Sequence, residues 1–172
     1  MEQVQIVRRS AQRYVAIPVT VTMRELAAAI DRAFPELFAW LGTRSHTPAG
    51  APFIRYLQVD MDAGLVVELA VPVDLEVAGD GRIRVGVLPA GRYVTLLHVG
   101  PYDGLVEANA TLQRWAAEHG LRWAMDGAAW RGRGERYLTD PSQQPDPAQW
   151  RTEIACLTAE DALEAASTDP GT

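Results

Sequence analysis

The sequence predicts an α+β fold made of two copies of one βαββ unit, related by a pseudo-twofold axis, with two main helices on an antiparallel sheet. Two observations carry this. Short motifs recur in the same order: Arg13-Tyr14-Val15 returns as Arg92-Tyr93-Val94, Arg55-Tyr56-Leu57 as Arg136-Tyr137-Leu138, and Glu68-Leu69 as Glu153-Ile154. Their spacing widens only slowly along the chain, as expected for a duplication that gathered small insertions. The second observation is that each copy alternates strand and helix signals in one order, and neither could cover its own sheet and helix faces well, so the two should pair around a central cleft.

In the first copy, from about residue 3 to 75, the Arg-Tyr-Val strand is followed by a helix. It starts at Thr22, with Glu25 at capping-box spacing, and its apolar positions Leu26, Ile30, Ala33, Phe34, Leu37 and Leu41 share one face of a 3.6-residue period. Pro35 is expected to kink or split this helix, because proline removes a backbone donor. Strands follow at Phe53–Asp60 and Leu65–Val73, joined by a tight turn at Met61–Gly64.

In the second copy, from about 82 to 157, strand material at Arg82–Leu88 precedes the repeated strand. Its helix is predicted to start near Asp103 as N-cap, to run through Leu105, Leu112, Trp115 and Ala116, and to end at Gly120 in a left-handed turn. Strands then follow at Glu135–Thr139 and Trp150–Leu157, separated by a longer segment with Pro141, Pro145 and Pro147. Residues 1–158 read as one domain, and residues 159–172 as a C-terminal tail that forms a short helix or frays.

Composition narrows the function. The chain has 172 residues, is 48% hydrophobic, and carries a formal net charge of -6 with arginine as its basic residue. Such an acidic chain without a basic cluster is a poor fit to a phosphate backbone, so no nucleic-acid partner is expected. The most apolar stretch, Leu65–Val77, is interrupted by Glu68, Pro72, Asp74 and Glu76, and no signal peptide follows Met1. A cytoplasmic protein without a membrane partner is expected. Three separated histidines and the single Cys156 argue against a metal site, and no cofactor is expected.

The copies differ at one telling place. Ile54 of the first aligns with Glu135 of the second, while Tyr56 aligns with Tyr137. Residues two apart on a strand share a face, so these four would line one cleft if their strands lie near the axis. A buried carboxylate must find a partner or stay protonated. Among aromatic walls it suits a flat lipophilic cation, or it serves as general acid or base toward water. The other reading of Glu135 is an exposed residue, or one paired with Arg131, Arg133 or Arg136.

Several motifs together resemble the GyrI-like domain: Pro89-Ala90-Gly91-Arg92-Tyr93, His98-Val99-Gly100-Pro101-Tyr102, Glu135-Arg136-Tyr137-Leu138-Thr139-Asp140-Pro141, and Trp150-Arg151-Thr152-Glu153-Ile154. The likeness is strongest over 87–157. The resemblance implies a duplicated βαββ fold whose cleft binds lipophilic, aromatic, often cationic compounds, as in the effector-binding domains of multidrug-responsive transcription activators. It places Glu135 in the cleft and makes Tyr102, Tyr137 and Tyr56 the stacking residues. Since a strand starts within the first few residues, the chain reads as a binding module standing alone. The alternative is a hydrolase of reactive, cyclopropanoid natural products, in which Glu135 activates water and Tyr137 assists.

Further candidates remain open. His98 either exchanges a proton near the pocket or supports the strand end beside Gly100-Pro101. Glu153 is either a second cleft acid or half of a salt bridge, its counterpart Glu68 favouring a structural role for both. Trp130, in the glycine- and arginine-rich segment 127–134, either closes over the ligand or packs. Gly132 and Gly134 precede a strand, so they form no phosphate loop.

Overall fold

A computed structural model of the protein describes residues 3–159, and the predicted tail lies almost wholly outside the described residues. In chain order the elements are β1 (Val4–Arg9), β2 (Gln12–Val21), α1 (Met23–Thr43), β3 (Phe53–Asp60), β4 (Gly64–Pro72), β5 (Arg84–Leu88) and β6 (Gly91–Val99). They continue with α2 (Leu105–Glu118), the short hairpin β7 (Met125–Asp126) and β8 (Ala129–Trp130), then β9 (Arg133–Tyr137) and β10 (Arg151–Leu157). Among the described residues an eight-stranded antiparallel sheet runs in the order β1-β6-β10-β9-β3-β4-β2-β5.

That order reads the same from both ends once the copies are superposed. β2, β4 and β3 of the first copy mirror β6, β10 and β9 of the second, and the halves join where β3 pairs with β9. The duplication is therefore a structural one. Each copy carries an additional leading strand, and one feature lies beyond the sequence prediction: these strands are exchanged. β1 pairs with β6 of the second half, and β5 pairs with β2 of the first. The links from β1 to β2 and from β5 to β6 each contain two residues, and such a link spans only about 10 Å when extended. The sheet must therefore curl until its two ends approach, which makes one face concave.

Both helices pack on one and the same face of the sheet. α1 buries Leu26, Ala29, Ala33, Leu37 and Leu41 against a core that includes Val15, Ile17, Leu65, Val67 and Leu69. α2 buries Leu105, Ala108, Leu112 and Ala116 against a second core with Val94, Leu96, Ile154 and Cys156. Tyr137 packs against both cores. The capping box of α1 forms as expected: Glu25 N donates to Thr22 Oγ1 at 3.3 Å, and Thr22 N donates to Glu25 Oε1 at 3.1 Å.

One local expectation is narrowed and another corrected. Of the two outcomes expected at Pro35, a kink or a split, the split does not occur, since α1 runs continuously through it. Burial of Leu26 and Ala29 before the proline and Leu37 and Leu41 after it pins both halves of the helix to one sheet; each buried leucine contributes about 1.5–3 kcal/mol, comparable with what an internal proline costs. Asp103 is not the N-cap of α2. A 3-10 turn at Tyr102–Gly104 intervenes, and α2 starts at Leu105 after Gly104, without a side-chain cap. Gly104 is needed there because a Cβ would meet His98 Cε1 at 2.7 Å. Gly120 takes the expected left-handed conformation, with φ 67°. No helix among the described residues is long and apolar enough to cross a membrane.

Candidate functional site

Between α1 and α2, over the centre of the sheet, lies a cavity of about 1000 Å³. Its walls are largely apolar: Ile30, Phe34 and Phe38 come from α1, Leu105 and Val106 from α2, and Leu138 from the end of β9. Met61 and Val106 at its margin are more than 60% exposed, so the cavity opens through an apolar rim.

The floor is polar at one place. Glu135 sits mid-strand on β9 and is only 5% exposed. Asn109 Nδ2 donates to its Oε1 at 3.0 Å, and the Tyr137 hydroxyl donates to its Oε2 at 3.1 Å. The Tyr56 hydroxyl, from β3, also donates to it. All three donors are neutral. Burial pushes the Glu135 carboxyl above its ordinary range, against the pull of these hydrogen bonds and of the Arg133 charge. Burial likewise holds Tyr56 and Tyr137 well above the usual tyrosine value, with the Glu135 charge adding to it, so both remain donors.

Aromatic rings continue the wall. Phe34 meets Tyr137 edge-on at 6.2 Å, Tyr137 meets Tyr102 edge-on at 5.5 Å, and Tyr102 lies 4.7 Å from Trp150. The cavity thus brings together Glu135, Tyr137, Tyr56 and Tyr102, four of the residues singled out in the sequence.

The others lie elsewhere. Ile54 is fully buried in the core under α1 and does not line the cavity. Glu153 points to the opposite face of the sheet, because it is the register partner of Arg136 and not of Glu135. There it forms an ion pair with Arg9, whose Nη2 donates to Glu153 Oε2 at 2.8 Å. Glu68 is its counterpart, accepting from the Tyr14 hydroxyl at 2.6 Å. His98 is buried at the end of β6, its Nε2 2.9 Å from the Pro101 carbonyl oxygen, outside the cavity. Trp130 sits in the β7–β8 hairpin, outside the cavity lining, and packs with Trp123, ring centroids 6.3 Å apart.

Sequence reasoning missed Asn109 and the contribution of Phe34 and Phe38. A signal existed for Asn109, an amide on the inward side of α2 between Leu105 and Leu112, where the stripe is otherwise apolar.

A model of the GyrI-like small molecule binding domain matches residues 2–156. The chain belongs to the GyrI-like family. Among solved structures, EcmrR in its DNA complex is similar at 21% identity with a TM-score of 0.80. That likeness covers 93% of this chain but 58% of the EcmrR chain, so this chain spans little more than half of that relative. The EcmrR C-terminal domain by itself is similar at 20% identity and TM-score 0.75, over 94% of this chain and 99% of that domain. SAV2435, solved bound to tetraphenylphosphonium, is similar at 13% identity and TM-score 0.69, over 95% and 96% of the two chains. No curated protein matches by sequence. At these identities the solved structures speak for fold alone, so the hydrolase alternative gains no support from them. The expectation of no nucleic-acid partner gains none either, one similar chain being DNA-bound. As a GyrI-like domain, this chain is a small-molecule binder.

Proposed function

We propose that the GyrI-like cavity captures lipophilic, aromatic cations and that Glu135 is their counter-charge. One observation carries this reading: a carboxylate only 5% exposed, supplied with neutral donors, on the floor of a large apolar cavity. An ionised carboxylate is costly there unless a positive charge completes it. An aromatic cation supplies that charge and replaces water along the apolar walls. Tyr137 and Tyr102 present ring faces and edges to it, and cation–π attraction adds about 0.5–2 kcal/mol. Asp31 and Asp140 at the cavity margin bias the approach toward cations. The tetraphenylphosphonium bound to SAV2435 is a ligand of this chemistry, held in a similar fold.

The experiment is a fluorescence titration of several cationic dyes, rhodamines among them, into the protein. Saturable binding at roughly micromolar concentrations is expected for several unrelated aromatic cations. A panel without saturable binding overturns the reading.

A further inference from the structure

The same cavity wall holds a cation of its own. Arg133 precedes Glu135 by two residues on β9, so both side chains emerge on the helix-covered face about 7 Å apart along the strand. Both line the cavity. The Arg133 guanidinium stacks on the Trp130 ring, its Cζ 4.4 Å from the centroid. Trp130 is backed by Trp123, whose indole N–H donates to Gln113 Oε1 at 2.8 Å. The two tryptophans therefore hold the guanidinium from behind. Stacking occupies its face and leaves its N–H edge unused: among the described residues Arg133 has neither an ion pair nor a hydrogen-bond partner. A planar fork of donors held in this way suits a carboxylate.

The flanking glycines serve the same placement. A Cβ on Gly134 would meet the Ile54 carbonyl oxygen at 2.4 Å, and one on Gly132 would meet Leu157 Cβ at 2.8 Å. Gly132-Arg133-Gly134 thus lets β9 pack tightly against its neighbours while presenting one arginine to the cavity.

We propose that Arg133 is a carboxylate-binding subsite beside Glu135, donating to the ligand, and that the preferred ligands are aromatic zwitterions: flat cations that also carry a carboxylate. This rests on the cavity being the ligand site. Glu135 then takes the cationic end, and Arg133 takes the carboxylate with a bidentate or single hydrogen bond.

The test compares rhodamine 6G, an ester and a plain cation, with its free acid rhodamine 19, which has the same ring system and a carboxylate. Dissociation constants are measured for wild type, Arg133→Gln and Arg133→Lys, with tetraphenylphosphonium as a cation lacking any acceptor. The proposal expects Arg133→Gln to weaken the acid at least about tenfold more than the ester, and Arg133→Lys, which keeps the charge, to retain most of the wild-type ratio. An acid-to-ester ratio unchanged in Arg133→Gln overturns the subsite while leaving cation capture standing. Wild type that binds none of the three compounds overturns both readings.

Discussion

Ile54 and Glu135 are register partners across the β3–β9 junction, and they are also equivalent positions of the two repeats. The pairs on either side obey the same relation: Phe53 lies opposite Arg136, and Arg55 opposite Gly134. The pseudo-twofold axis therefore passes between Ile54 and Glu135. A symmetric ancestor would place two like residues there; this chain places an aliphatic side chain on one side and an acid on the other. The asymmetry turns a shared core position into one chemical group at the centre of the cavity.

The first prediction concerns pH and stability. The fold raises the Glu135 pKa, chiefly through burial, so it favours the protonated carboxyl. That stabilisation is complete below the ordinary glutamate value of about 4.3 and is lost as pH rises from there through the raised value. Glu135→Gln cannot ionise and escapes the loss. Thermal melting of both proteins across this window should give a difference in Tm that grows in favour of Glu135→Gln as pH rises, then levels off.

Affinity runs in the opposite sense. If Glu135 is the counter-charge, as proposed, binding needs its carboxylate form, so wild-type affinity for a permanently charged aromatic cation should rise with pH over the same window and then plateau. Below the plateau, binding should release up to one proton, detectable by calorimetry in buffers of different ionisation enthalpy. The Glu135→Gln protein should show neither effect.

Asn109 tunes this acid. Its amide donates to Glu135 Oε1 at 3.0 Å and to the Leu105 carbonyl at 2.9 Å, which aims it at the carboxylate from one turn into α2. Asn109→Ala removes a donor that favours the charged form. The pH midpoint of cation binding should move upward, and stability should fall by about 1–3 kcal/mol near neutrality, read from denaturant unfolding.

The junction itself is testable through glycines. Gly134→Ala drives a Cβ into the Ile54 carbonyl and should destabilise by about 1–3 kcal/mol while weakening ligand binding, because β3 and β9 carry the cavity floor. Gly42→Ala, in α1 with nothing within 4 Å of its Cβ, should be neutral or stabilising by up to about 1 kcal/mol.

Much of this was legible in the chain because duplication lets one copy annotate the other. Aligning Tyr56 with Tyr137 and Ile54 with Glu135 isolates the acid and two of the rings from the sequence alone. Placing Glu153 was harder, since strand alternation says only that it opposes Ile154. The β9–β10 register decides which of those two faces the cavity, and register depends on contacts between distant segments. The exchange of β1 and β5 left no local signature, because a strand's composition does not say which edge it joins. Trp130 and Arg133 were both visible, but their stacking depends on the hairpin at Gly127, whose direction is set by tertiary packing.

The most direct test of the central claim is a calorimetric titration of tetraphenylphosphonium into wild type and Glu135→Gln near neutral pH, with the fold of both checked by circular dichroism. The account predicts saturable binding to wild type and a loss of about ten- to a hundredfold in the variant, since a buried counter-charge contributes on the order of 1.5–3 kcal/mol. Equal affinity for both proteins would contradict it, because the cavity would then bind by shape and apolar contact without using the acid at its centre.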